Sequence, residues 1–257
     1  MHKYLFVWFK SASLSVQSSI AQRGGAIMFM IGKLIRFGFF LMLLILIGEK
    51  VSLVTGYSLD QMVIFFLFFN LFDIFGQTFF RGIYWFRDQI ISGEFDFRLV
   101  KPMSPLFQAL TRQTDVLDVP LFIIIIIVLI KPALTLSPLS LLFFIILSLS
   151  GFIIITAIHI FVAGLGVVTT EVDHTIMIYR DLTQMGRIPI DVYAQPVRIA
   201  LTYLIPIAIM ITVPAQALLG LMTYKLVFIS LFTVLFSLFA AFRLFHHALS
   251  QYSSASS

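Results

Sequence analysis

An all-α, polytopic membrane helix bundle with about six transmembrane helices and an N-terminal interfacial amphipathic helix is predicted here by three observations. Hydrophobic residues make up 60% of the 257 residues and charged ones 11%, against about 45–50% and about 25% in soluble domains. The apolar residues fall into runs close to the ~20 that cross a hydrocarbon core of about 30 Å. The lysines and arginines collect in alternate connections, as the positive-inside bias requires of a chain that crosses repeatedly. A water-soluble fold of this size could not cover so much Phe, Leu and Ile.

Residues 1–25 read as a helix lying in the membrane interface. Tyr4, Leu5, Val7, Trp8 and Phe9 are cut short by Lys10, which leaves no apolar core of about 7–15 residues for a cleavable signal. Tyr4 and Trp8 suit headgroup depth. The first span covers about 26–47, with Lys33 and Arg36 on one face, snorkelling toward the cytosolic headgroups. The second covers about 62–80, and 81–113 is a charged connection. The next apolar run, 119–130, rises only about 18 Å, so its span is extended back to 114–131. Arg112, Asp115 and Asp118 then line one face at i, i+3 and i+6.

No formal charge occurs from 132 to 170. One tilted span over 139–167 and two short spans turning near Gly151 both fit that stretch. Residues 171–198 read as a polar cytosolic connection, 200–221 as the fifth span, with Pro206 and Pro214, and 226–245 as the last. A Ser-rich, disordered tail follows from 246. The six-span reading leaves only Lys50, Lys131 and Lys225 of the 17 lysines and arginines outside, so both termini are assigned to the cytosol and the protein to the cytoplasmic (inner) membrane, multi-pass. Two spans within 132–170 would move Arg180, Arg187 and Arg198 outside, a weaker charge pattern.

Motifs that carry chemistry are scarce. With no cysteine, thiolate metal sites, disulfides and Cys nucleophiles are excluded. The Gly32-Lys33 pair is followed by Leu34 and has Ile27 where a phosphate loop needs its first glycine. No cofactor is expected, no catalytic residue is assigned, and no dense basic run suggests nucleic acid. Glu171, Asp173 and His174 are close in sequence, but nothing completes a metal ligand set. Within the second span, Asn70, Asp73 and Gln77 share a face with Arg81. A carboxylate at membrane depth costs about 2.5–3.5 kcal/mol and needs a partner or a wet cavity. The face is either a translocation path or subunit seam, or a structural contact between helices.

The charged connection carries Arg87, Asp88, Gly93, Glu94, Phe95, Asp96 and Arg98. Its alternation of charge and aromatics suggests a short amphipathic helix under the membrane, broken at Gly93 and stopped by Pro102. The stretches from Ser92-Gly93-Glu94-Phe95-Asp96 through Leu99-Val100-Lys101-Pro102, and Arg187-Ile188-Pro189-Ile190-Asp191-Val192-Tyr193 with Pro196, Arg198, Leu204-Ile205-Pro206 and Pro214-Ala215, resemble the permease subunits of ABC-2 type exporters. Ile188 stands where that family usually has Phe, and an Ala194-Gln195 step precedes Pro196.

The resemblance implies that 81–113 is a cytosolic coupling loop that binds a separate ABC ATPase subunit through Arg87 to Arg98, and that ATP is hydrolysed there, not on this chain. It implies a homodimer or a second paired permease within membrane lipid. It makes Pro189, Asp191, Tyr193, Pro196 and Pro206 family-motif positions. In many relatives the Pro-rich stretch is a re-entrant hairpin from the outer side, which here covers 188–220 and competes with the spanning reading. A secondary transporter and a non-transporting membrane anchor or assembly protein are the alternatives left open.

Overall fold

Twenty-nine phenylalanines need burial, and the second apolar run carries the densest group of them into the centre of the molecule. The computed structural model describes residues 2–21, 23–169 and 172–253, which form helices and turns without a strand. In chain order the α-helices are α1 (His2–Ala21), α2 (Arg23–Thr55), α3 (Leu59–Phe80), α4 (Phe86–Ile91), α5 (Glu94–Leu99), α6 (Pro105–Thr111), α7 (Val119–Ala133), α8 (Pro138–Thr169), α9 (Val172–Gln184), α10 (Gln195–Ile199), α11 (Val213–Leu218) and α12 (Tyr224–Gln251).

Helix α3 is the axle. It starts at a capping box in which Ser58 accepts from the Gln61 N–H and the Gln61 side chain accepts from the Ser58 N–H, satisfying donors the first turn leaves free. It is apolar on nearly every side, the mark of a buried helix, and Phe65, Phe66, Phe68 and Phe72 are all within 2% of full burial. Phe66 packs on Phe37 and Phe40 of α2, while Phe68 and Phe72 meet Phe144 and Phe152 of α8. Gly151 serves this packing rather than a turn: a Cβ there would overlap the Phe72 ring and the Met210 carbonyl. Helix α8 therefore runs unbroken through Gly151 for 32 residues, about 48 Å, and the two-span alternative has no turn to stand on.

The bundle has two ends. The proximal end gathers α1, α4, α5, α6 and the last turn of α12; the distal end carries the Gly56-Tyr57 turn between α2 and α3. Helices α8 and α12 are parallel, because Phe143 meets Tyr224 while Gly164 lies against the Phe245 backbone. The chain between them must therefore climb the bundle once from proximal to distal.

That climb is made by the segment read from sequence as a cytosolic connection. Val172 sits beside Phe86 at Gly166, Arg180 lies over Tyr84, Tyr179 meets His159, Arg187 lies over Phe69 and Asp191 reaches Tyr57. Residues 172–191 thus run the length of α3 in the opposite direction. Hydropathy missed them because only Val172, Ile176, Tyr179 and Thr183 form a buried stripe, while Asp181 and Gln184 lie on the open side.

The stretch 200–221 is not one straight span. Gln195–Leu204 and Ala208–Leu218 are bent by 79°. Pro206 has no N–H and its ring excludes a helical carbonyl one turn back, and Ile205, as the residue before it, is extended. The chain turns at mid-bundle, where Ile207 and Ile211 pack over Gly186, and comes back beside Tyr57 at Gln216 before Gly220, whose φ of +70° ends α11.

Other boundaries differ by small amounts. The span placed at 114–131 has its helix start at Val119, after a short 3-10 turn at Val116–Asp118; Asp115 and Asp118 are drawn sideways to Lys33, and Arg112 leaves for Glu94. Helix α12 continues to Gln251, through the start of the expected tail, and 254–257 lie outside the described residues. Glu171 does too.

Candidate functional site

Two regions hold the polar residues that the bundle has no structural need to bury. The first is a seam where α2, α3, α7 and α9 meet. Asp73 is half-buried in it and accepts from Gln77 Nε2 at 2.8 Å, one turn on. Asn70 donates at 2.8 Å to the Phe66 carbonyl, also one turn away. Lys33 and Arg36 come in from α2, and Asp118 from the start of α7, to line a narrow cleft, roomy enough for a water molecule, with Asn70, Asp73 and Gln77.

Lys33 does not snorkel outward. It binds Asp115 at 3.2 Å and Asp118 closer still, because two carboxylates near the same depth offer it more than a distant headgroup does. Arg180 approaches from α9 and Arg187 from the 3-10 turn Met185–Arg187 that follows it, each stacked on aromatic rings: Arg180 over Tyr84, Arg187 over Phe40 at 4.9 Å and Phe69 at 5.1 Å. Sequence spacing found the α3 face. It missed Arg180 and Arg187, whose stretch hydropathy leaves outside any span.

The second region is the proximal cap, 81–113. Gly93 takes φ +72°, a conformation open to glycine at little cost, and splits the predicted amphipathic helix into α4 and α5. Most of the charges in this segment hold the cap together. Glu94 accepts from Arg98 at 2.9 Å and from Arg112 at 2.6 Å. Burial opposes the Glu94 charge, but hydrogen bonds from both guanidiniums outweigh it and keep the carboxyl below its usual range. Arg98 also donates to the Gln108 carbonyl at 3.1 Å. Phe95 is fully buried between Phe86 and Tyr252, and the Tyr252 hydroxyl donates to Asp96 at 2.9 Å.

Arg87 pairs loosely with Asp173 at 3.6 Å, and Asp88 is exposed. Beside exposed polar groups such as Asp88 and Lys101, the cap presents three large apolar side chains outward: Ile91 is 54% exposed, Phe97 70% and Val100 82%. Sequence reasoning missed these three, although Phe97 and Val100 at i, i+3 share a face opposite Phe95. Helix α1 braces the cap from the side, with Trp8 stacked on Phe79, Tyr4 against Phe107, Lys3 bound to the Pro102 carbonyl and Ser11 to that of Arg112.

The remaining motif residues lie together at the distal end. Tyr57 donates to Asp191 at 2.5 Å, and Gln216 Nε2 contacts the Tyr57 hydroxyl at 3.2 Å and Asp191 at 3.4 Å. Burial first, then the bond to Asp191, pushes the Tyr57 hydroxyl up to about 12. Arg198 binds the Asp191 carbonyl, and Tyr193 donates to the Met185 carbonyl at 3.0 Å. Pro189 precedes a short 3-10 turn, Pro196 opens α10 and Pro206 makes the bend. The cluster ties both arms of the bent segment to the α2–α3 turn.

No curated protein and no solved structure matches the chain. A family model described as ABC-2 family transporter protein matches residues 34–256, taking in the cap, the distal cluster and all of the seam but Lys33. Five helices among the described residues are long and apolar enough to cross a membrane, six if the bent pair is counted. This chain is a multi-pass membrane protein of the ABC-2 transporter family, related to the permeases of ABC-type transporters.

Proposed function

We propose that this chain is the transmembrane permease subunit of an ATP-driven export complex in the cytoplasmic membrane, driven by a separate ATPase at the proximal end. The observation that carries the reading is the cap, in a chain of this family: an internally ion-paired platform that exposes Ile91, Phe97 and Val100. In water such a face costs free energy unless a partner covers it. Arg87, Asp88, Gly93, Glu94, Phe95, Asp96 and Arg98 then act mainly by shaping the platform, and the apolar trio makes the contact. ATP-driven closure of two ATPase subunits would push the cap as one piece and tilt α3, to which it is joined at Phe80.

The proximal end is the cytosolic one. Lys3, Lys10, Arg81, Arg87, Arg98, Lys101 and Arg112 gather there, in keeping with the positive-inside bias. On this reading α2, α3, α7, α8, α9 and α12 are the crossings, and Gln195–Leu204 with Ala208–Leu218 dips in from outside and returns. The open side of α9, with Asp181 and Gln184, is too polar for lipid. It faces a second permease, identical or paired, and with Asn70, Asp73 and Gln77 it borders the path.

Purification in mild detergent is expected to bring down an ATPase chain, and Phe97→Asp with Val100→Asp to lose it while the permease keeps its thermal midpoint. Retention of the ATPase by that double variant would remove the docking assignment. Since the chain has no cysteine, Arg198→Cys and Lys101→Cys report topology directly: the first should label from outside the cell and the second only after permeabilisation.

A further inference from the structure

We propose that the seam of α2, α3 and α9 binds an amphiphile with an oxyanion headgroup, a carboxylate or a phosphate, held between Arg36 and Arg187. This names a substrate class for the path and rests on the permease reading above. The starting point is a charge imbalance. Asp73 lies within the electrostatic reach of Arg180, Arg36, Lys33 and Arg187. Lys33 is committed to Asp115 and Asp118. Among the described side chains, none of the three arginines forms an ion pair, and the seam holds four cations against three carboxylates, of which Asp73 already accepts from Gln77 through Oδ2.

The imbalance is local. Arg187 rests on Phe40 and Phe69. Phe40 is one turn along α2 from Arg36, and Phe69 precedes Asn70, which lines the cleft with Arg36. Arg36 and Arg187 also lie within each other's field. Arg187, half-buried on its aromatic wall, feels a like charge more strongly than it would on a wet surface. Arg187 Nε is buried with no hydrogen-bond partner, although an arginine carries five donors in a fixed fork that suits carboxylate and phosphate. An oxyanion between the two would relieve the repulsion and supply the missing acceptor.

The apolar part of the ligand follows from the surroundings. Arg36 is exposed on the outer side of α2, so the site opens sideways. Beside it along α2 are Ile35 and Phe39, both 64% exposed. An alkyl chain can lie there while the headgroup reaches inward, and a small hydrophilic anion has no use for that surface.

The test is equilibrium binding to the purified permease, without ATPase, in nanodiscs of zwitterionic lipid. The probes are a fluorescent polyene fatty acid, its methyl ester, and dodecyl phosphate as competitor. The acid is expected to bind and the ester not to, and dodecyl phosphate should displace the acid. Arg36→Gln with Arg187→Gln should weaken binding at least ~10-fold, the loss of one charge-assisted contact or more, while the two Lys replacements keep most of it. Asp73→Asn is expected to tighten binding, a gain that misfolding cannot imitate.

Equal binding of acid and ester, an unchanged double Gln variant, or displacement by inorganic phosphate as effective as by dodecyl phosphate would each overturn the proposal. Because no nucleotide or partner enters this measurement, its failure leaves the ATPase-docking result standing, and the reverse holds too.

Discussion

The proximal cap and the distal bend are both irregular stretches between long helices, but they are held in different ways. The cap is cross-braced: Glu94 takes two arginines, Arg98 reaches Gln108, Tyr252 ties α12 to α5, and α1 crosses the side. The bend has no ion pair among the described residues; it is held by the Tyr57–Asp191–Gln216 cluster, by Arg198 and Tyr193 on the Asp191 and Met185 carbonyls, and by the Ile190 N–H donating to the Thr212 hydroxyl. Two π-helical turns, at Ala200–Leu204 and Ala208–Thr212, flank its proline, and such turns are rare departures from the regular helix. The contrast fits the proposed ATP-driven permease, which would need a stiff part to receive force and a yielding part at the far end.

The largest effect that could break this comparison lies in the cap. Phe95→Ala removes a ring packed between Phe86 and Tyr252 and should destabilise the cap by about 3 kcal/mol. Hydrogen exchange is expected to rise across 86–111 and at the end of α12, with the distal bend unchanged. If exchange rose equally at both ends, the two regions would not be independent.

Next in size is the distal tie. Tyr57→Phe strips a donor from the half-buried Asp191 carboxylate and should cost about 1–2 kcal/mol. The expected readout is faster exchange in 195–218 alone. The hydroxyl adds a pH signature. Its pKa is about 12 in the fold against the ordinary 10.0, so between those values the unfolded chain has lost a proton that the native one keeps. Stability from this group is full below pH 10 and falls as pH rises toward 12. Tyr57→Phe should flatten that part of the profile.

How much of this was legible in the sequence depends on which physics each element uses. Helix α3 is buried on all sides, so its run of phenylalanines announces it. The Gly93 break could be read because only glycine enters that backbone region cheaply. Helix α9 is different: it buries one narrow stripe and leaves Asp181 and Gln184 on an open face, so a window average cannot separate it from a loop. The partners of Lys33 could not be read either, since Asp115 and Asp118 are more than 80 residues away and the pairing exists only once α2 lies against the 3-10 turn that leads into α7. Spacing placed Asn70, Asp73 and Gln77 together, but the arginines facing them come from another helix.

A smaller test concerns the joint of the cap. Gly93→Ala forces a Cβ into φ +72° with ordinary space around it, the nearest atom being Asp96 Oδ2 at 3.7 Å. Strain rather than collision then sets the cost, about 1 kcal/mol. Gly93→Asn should cost less, because asparagine tolerates that region better. Thermal midpoints in the order wild type, Asn, Ala would confirm the joint; an Ala variant equal to wild type would mean that α4 and α5 can meet in another geometry.

The smallest expected effect is the most specific to the bracing. Glu94 is half-exposed, so its two ion pairs are screened and worth less than about 1 kcal/mol together. Their signature is in the pH dependence. Arg98 and Arg112 hold the carboxyl below the ordinary 4.5, so as pH falls the unfolded chain takes up its proton first. The contribution is present above that value and disappears as pH drops through the lowered folded value. Unfolding midpoints of the wild type between pH 6 and 3 should fall more steeply than those of Glu94→Gln, which starts slightly lower and converges with it at the acid end. Parallel curves would mean that the carboxylate braces nothing, and that packing around Phe95 alone makes the cap stiff.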